Sequence, residues 1–376
     1  MRVVIGVHDF ASFAGTETYT RTVSLELARF GHEVIIHAPN TGEIAEAVRQ
    51  EGIPVVESVD DLPAACDATL SQDTISAFAL AGRFPDARRL MVVHSDYFMH
   101  QSPPQLAGVC HALVVMNDRV GRFVESLASP GGRSPVLRMT QPVDLKRFGV
   151  RGKRTDGRPR ALVLGNYLSP DSVANISGIC VDAGLEPVFH GETTTRVSTP
   201  EHAIADADVV LGLGRCIVEA MAGGRAAYVY GITGSDGWVT GESYEALESD
   251  GFGATAFTGV AGRNQLVADL AAWDPKMGAT NRLIATDRHD AAAHTVELVG
   301  HLRGGSTDQE AILENLDELA RLVEAERLSW SRYVEALGEI QELRRELGQA
   351  ESLLASSRYR IGSLLAAPLD AIRRRR

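Results

Sequence analysis

The feature that most constrains this chain is an alternation over its first 300 residues between short β-branched runs and segments with helical spacing. That alternation is how a parallel α/β sheet reads. Expected strands are Arg2 to Val7, Glu33 to His37, Leu90 to His94 and Ala112 to Met116. Between the first two, Tyr19, Val23, Leu27 and Phe30 recur at helical spacing over Thr16 to Phe30, and Gly31-His32 stops that helix, since glycine is the usual residue just past a helix end. A second series follows a polar, glycine-containing stretch, Gly149 to Arg160, with strands expected at Ala161 to Leu164, Pro187 to His190, Val209 to Leu211 and Ala226 to Tyr230. With 376 residues the chain has room for two domains of roughly 150 residues and an appendage.

The appendage has its own composition. Asp308 to Leu354 holds no proline and two glycines, and Ile312, Leu316, Leu319, Val323, Trp330, Tyr333, Leu337, Ile340, Leu347 and Leu354 fill ten of thirteen a and d positions of one heptad frame. A sustained 3.5-residue repeat predicts a coiled coil and self-association; a long helix folded back on its own domain is the alternative. Beyond it, six arginines from Ser356 to Arg376 face one acid, Asp370, in a chain whose net charge is -12. Tyr359, Ile361, Leu364, Leu365, Leu369 and Ile372 lie among them, and a basic amphipathic end of this kind suits an anionic membrane surface.

Several classes are disfavoured. No stretch approaches the roughly 18 apolar residues of a membrane-spanning helix, and the start at Met1 lacks the apolar region of a secretory signal. Cys66, Cys110, Cys180 and Cys216 show no CxxC spacing, which argues against structural zinc or a disulfide framework and fits a reducing cytosol. The acidic balance disfavours a general nucleic-acid binder.

Two turns can carry chemistry. Gly15-Thr16-Glu17 lies between the first strand and first helix, where a glycine admits close backbone approach and the helix offers unpaired N–H groups; turn and capping needs alone also place glycine there. The run Gly212-Leu213-Gly214-Arg215-Cys216-Ile217-Val218-Glu219-Ala220-Met221-Ala222-Gly223-Gly224-Arg225 reads as strand end, glycine-rich turn and short helix, the layout of a phosphate cradle. It lacks the third glycine of a dinucleotide fingerprint and the Gly-Lys-Ser/Thr of a P-loop. Glu219, among Ile217, Val218, Ala220 and Met221, either caps something internal or accepts hydrogen bonds from a ligand hydroxyl pair.

Three segments carry a resemblance: Gly15-Thr16-Glu17 with Leu27-Ala28-x-x-Gly31-His32-Glu33-Val34; Gln141-Pro142-Val143-Asp144-x-x-Arg147-Phe148; and Glu219-Ala220-Met221-Ala222-x-Gly224. In this order they resemble the large retaining nucleotide-sugar family of GT-B glycosyltransferases, in a divergent bacterial branch that Gly-Arg before Glu-Ala-Met-Ala and Gly237-Trp238-Val239-Thr240 also suggest. The resemblance implies two Rossmann-like domains facing a cleft: an acceptor domain at 1–148 and a nucleotide-sugar domain at 149–304, before the coiled coil (306–355) and the basic tail (356–376). It implies Gly15, with Thr16 and Glu17, at the donor diphosphate, the backbone around Gly214, Arg215 and Cys216 cradling it, Glu219 on the ribose hydroxyls, and His94 facing the sugar, with His8, His190 and Asp96 as weaker candidates by position.

The sequence departs from the family where an acid is usual, at Leu211, and where an arginine and a lysine usually follow the first strand of the second domain, at Leu164-Gly165-Asn166-Tyr167-Leu168-Ser169-Pro170-Asp171. Fixed cations stabilise a departing diphosphate, so Arg215 and Arg225, flanking the cradle helix, are the expected substitutes. No metal motif such as Asp-x-Asp is present, and no cofactor is implied beyond the nucleotide sugar as substrate. The expectation is a cytoplasmic, membrane-apposed transferase acting on a cell-envelope glycan or lipid-linked acceptor. A catalytically silent scaffold that binds glycans or partner transferases, or a nucleotide-sugar epimerase, are the alternatives.

Overall fold

The structure, a computed structural model, describes residues 1–127, 134–149, 157–165, 168–191, 194–195, 199–231, 234–257, 262–304, 316, 319–332 and 343. The chain divides into two compact units, Met1–Arg321 and Leu322–Arg376.

The first half of the first unit runs β1 (Arg2–Gly6), β2 (Asp9–Phe10), α1 (Gly15–Arg29), β3 (Glu33–His37), β4 (Asn40–Thr41), α2 (Glu43–Gln50), β5 (Val55–Val56), β6 (Ala68–Ser71), α3 (Thr74–Arg83), β7 (Arg88–Val93), β8 (Ala112–Val115), α4 (Asp118–Ser126) and β9 (Val136–Arg138). Seven of these strands form a parallel sheet ordered β5-β3-β1-β6-β7-β8-β9, while β2 and β4 make a small separate ladder. The second half runs β10 (Arg160–Leu164), α5 (Pro170–Asp182), β11 (Glu186–His190), α6 (Pro200–Ala205), β12 (Val209–Gly212), α7 (Arg215–Ala222), β13 (Ala226–Gly231), β14 (Gly234–Trp238), α8 (Tyr244–Ser249), α9 (Arg263–Ala271), α10 (Pro275–Arg288) and α11 (Ala291–Leu302). Its sheet is ordered β11-β10-β12-β13-β14, with β14 antiparallel.

Strands covered on both faces must be apolar throughout, and Val3, Val4 and Ile5 of β1 and Val209, Val210 and Leu211 of β12 are fully buried. In the first sheet, sequence order reverses between β1 and β6; in the second, between β10 and β12. Such reversal points open a crevice beyond the carboxyl ends of the strands, where ligands bind open α/β sheets. The turn after β1 leads into α1 and the turn after β12 into α7, so the topology puts both glycine turns singled out above at reversal points.

The structure differs from the sequence reading in two places that matter. Strand β6 sits between β1 and β7 yet was not expected. It is four residues long and half polar (Ala68-Thr69-Leu70-Ser71), so it lacks the aliphatic run that marked its neighbours, although all four residues are buried. The other difference is α11. It falls in the range expected for the nucleotide-sugar half, but Leu298, Val299 and Leu302 pack into the core of the first sheet with Ile5, Leu27 and Leu90. The chain therefore crosses between the halves twice, and the crossings lie side by side. Val143 N–H donates to His289 O (2.8 Å) and Ala291 N–H to Val143 O (3.1 Å).

Of the appendage, Leu316, one of the heptad residues, is buried in the first unit near Gly82 of α3. In the second unit, residues 322–332 are helical with Leu322, Leu328 and Trp330 exposed. Residues 319–321, with Leu319, are also helical; the rest of the expected coiled coil, apart from Leu343, and the basic tail lie outside the described residues. Among the described residues no helix is long and apolar enough to cross a membrane.

Candidate active site

Helix α1 starts at Gly15 behind Ala14, whose side chain caps nothing, so the first N–H groups of the helix have no side-chain partner from the cap. Gly15 is exposed, its φ is not left-handed, and a Cβ there would meet nothing within 4 Å. Neither a left-handed backbone nor crowding requires the glycine here. Thr16 Oγ1 accepts from Gln101 Nε2 (3.4 Å) and Glu17 lies in the first turn.

At the other turn, geometry does require glycine. A Cβ on Gly212 would come within 2.9 Å of Leu164 O, and Gly214 caps α7 at φ 56° and ψ -123°. Gly214 N–H donates to Phe252 O (2.9 Å). Phe252 and Ala254 both have left-handed backbones, in a loop tied down by Asp250, which accepts from Gly253 N, Thr255 N and Thr255 Oγ1. Two non-glycine residues held there cost of order 1–3 kcal/mol each, and the loop they build props the glycine turn. We expect Gly214→Ala to destabilise the protein by about 1–3 kcal/mol by forcing a side chain into this region. A thermal midpoint equal to wild type would show that the turn tolerates a Cβ. Cys216, one residue into α7, donates its Sγ proton to Leu213 O (2.8 Å), and burial pushes its thiol up to about 11, so it stands as a neutral packing group.

Arg215 was expected to face a diphosphate. Its side chain is instead buried and fully engaged: Nε donates to Glu219 Oε1 (2.9 Å), Nη1 to Pro142 O (3.0 Å) and Nη2 to Thr22 Oγ1 on α1 (2.9 Å). The guanidinium is a strut joining α7, the first crossing segment and the opposite lobe. Glu219 is buried with it, one turn along α7, and its partner here is Arg215. Burial pushes the Glu219 carboxyl above its ordinary range, while Arg215 and Arg147 pull against that rise. Arg147, from the second motif, is itself ion-paired with Glu201 (2.9 Å). Arg225 follows α7 at its far end, buried, and donates to Ala205 O (2.7 Å). It points into α6 rather than toward the N-terminus of α7, so it does not replace a cation there.

His94 follows β7. Its Nε2 lies 2.8 Å from Gln72 Oε1, and its ring meets the Tyr19 ring edge-on at 5.2 Å. Burial, with Arg215 adding to it, pushes its imidazole down to about 3, so the ring is neutral at physiological pH. Tyr19 in turn bonds His294 Nε2 of α11 through its hydroxyl (3.2 Å), and His294 Nδ1 reaches Thr140 O (3.0 Å). The structure thus brings His94, Arg215 and Glu219 into one interlobe cluster, with Gly15, Thr16 and Glu17 one turn before Tyr19 on α1. The weaker candidates are held elsewhere: His8 by Asn40 and, through its backbone, Asp73; His190 by Thr195 O; and Asp96 by Arg119. Tyr19, Thr22, Gln72 and His294 were not singled out as site residues, and Arg147 stood only within the second motif. Tyr19 reads as an ordinary core residue by spacing, and only the polar pair Gln72-Asp73 closing a buried strand hints at a site. Among the described residues no group of three His, Cys, Asp or Glu is placed to hold a metal ion.

No protein-family model matches the chain, and no curated protein matches it in sequence. Solved structures do. A glycosyltransferase from Rickettsia africae ESF-5 superposes with TM-score 0.55 at 11% identity, covering 80% of this chain and 97% of that one. An alpha-glucosyltransferase in complex with UDP and a 13-mer DNA containing a HMU base gives 0.53 at 11% identity, over 81% and 100%. Anabaena Alr3699/HepE in complex with UDP gives 0.52 at 14% identity, over 80% and 99%. At such identities the likeness is one of architecture. Two Rossmann-like lobes, joined by paired crossings with the last helix of the second half returned to the first, give this chain the GT-B fold.

Proposed function

We propose that this protein is a glycosyltransferase that moves a sugar from a nucleotide-sugar donor to a cell-envelope glycan or lipid-linked acceptor, without a metal ion and with retention of anomeric configuration. The observation that carries the reading is that Arg215, first residue of the glycine-capped helix α7, reaches Thr22 of α1 across the lobes, with His94 against Tyr19 of that same helix. Helix N-termini are suited to the growing charge of a departing diphosphate. Solved structures of the same fold hold UDP. The acceptor class rests on the basic amphipathic tail, which would bring the chain to the inner face of a membrane, and the heptads would pair it with a second copy.

A scaffold without transfer activity is favoured by one specific finding. Glu219 and Arg215, which a working donor site would offer to the ligand, are spent on each other and on the opposite lobe. Calorimetric titration with UDP-, GDP- and dTDP-sugars separates the two. We expect heat with one nucleotide class and transfer of its sugar to a glycan or glycolipid; silence with all three would leave the scaffold reading.

A further inference from the structure

The hydrogen-bond order around His94 can be worked out atom by atom. Gln72 is fully buried, and its Nε2 faces Leu70 O at 3.4 Å as a donor. That fixes the amide so that Oε1 is turned to His94, 2.8 Å from Nε2. An amide oxygen only accepts, so the His94 Nε2 must carry the proton and Nδ1 the lone pair. The other groups on the ring do not disturb this order. Tyr19 presents its ring edge, and its hydroxyl is engaged by His294, whose Nδ1 donates to Thr140 O. Arg215 supplies positive charge, which disfavours a second proton on the ring. His94 Nδ1 has no hydrogen-bond partner among the described residues, and the residue is only half-buried.

We infer that Gln72 is a positioning residue of the cleft: it locks His94 as the Nε2–H tautomer, so that Nδ1 offers a fixed hydrogen-bond acceptor to a ligand hydroxyl. An exposed lone pair repels phosphate and carboxylate oxygens, so this position selects the sugar or acceptor hydroxyl side of a substrate and not its anionic side. The functional half of the inference rests on the transferase reading; the tautomer does not.

The test is a two-bond 15N–1H spectrum of the full chain labelled at histidine, with the His94 ring assigned by His94→Asn. Wild type is expected to show the Nε2-protonated pattern without titration between pH 5 and 8. Gln72→Met should give a mixture of tautomers, and Gln72→Glu, which sets a carboxylate against Nε2, should raise the ring's titration midpoint by at least one pH unit. An Nδ1-protonated wild-type ring, or ring signals identical in wild type and Gln72→Glu, overturns the lock. If Gln72→Met does not fold, the wild-type spectrum and Gln72→Glu decide. For the role in transfer, Gln72→Met should lower kcat at least tenfold with the nucleotide Kd within twofold. An unchanged kcat in a variant with mixed tautomers overturns that role. A chain that binds no nucleotide refutes the transferase reading while leaving the spectrum to judge the lock.

Discussion

Arg215→Ala is expected to destabilise the first unit by about 3–5 kcal/mol, the cost of removing one partner of a buried ion pair. The loss has three parts. Glu219 is left buried without its counter-ion, Pro142 O loses a charged donor, and Thr22 on the opposite lobe loses its link to α7. In a unit of this size that corresponds to a drop of about 5–7 °C in thermal midpoint. Arg215→Met combined with Glu219→Leu should recover much of it, because exchanging a whole buried pair for apolar groups of similar volume is often close to neutral. Urea unfolding of wild type, both single variants and the double variant gives the coupling energy. A single-variant loss under 1 kcal/mol would mean that the strut contributes nothing to holding the lobes.

Acid should begin to cost this protein stability below about pH 6.5, before its ordinary carboxylates titrate. Burial pushes His111, His289 and His294 down to about 4, and His94 to about 3. Histidines whose folded pKa lies below the ordinary 6.5 bind fewer protons folded than unfolded in that window. Their contribution is therefore complete above pH 6.5 and is lost as pH falls toward the folded values. At pH 4.5 His289 and His294, both buried, each cost about 2–3 kcal/mol, together comparable to the stability of a small domain. Glu219 and Glu248, raised by burial, act in the opposite sense and offset part of the loss. Unfolding free energies measured from pH 7.5 to 4.5 should fall steeply below pH 6.5. A flat profile to pH 5 would mean that the buried rings gain protons without opening the structure.

What the sequence disclosed follows the length of the signal. Expected strands such as Glu33 to His37 coincide with observed ones or differ by a residue or two at the ends, because strands buried on both faces are written as aliphatic runs. Strand β6 was hidden by its polar half, and the two-residue β5 is too short to carry a pattern. Helix α11 shows why more stays hidden: nothing local states which sheet an apolar stripe will cover. At the site, the turn at Gly212 and Gly214 was legible because backbone geometry dictates the residue. The arginines were not: Arg215 and Arg225 both flank α7, yet one guanidinium spans to Thr22 and the other to Ala205. Direction in a long side chain is decided by partners distant in sequence. Gln72 drew no notice, and Tyr19 only as a core residue, for the same reason, since their meaning lies in the ring that each one touches.

The paired crossings also bear on how such a molecule arises and how it can be dissected. With the start of the chain and α11 both belonging to the first sheet, the second half is an insertion within its neighbour, not a bead following it on a string. A gene fragment ending at residue 148 would lack the plug formed by Leu298, Val299 and Leu302 and would expose the socket they fill. Recombination that exchanged the inserted lobe would have to cut at two places, near 143 and 290, whose backbones are bonded to each other.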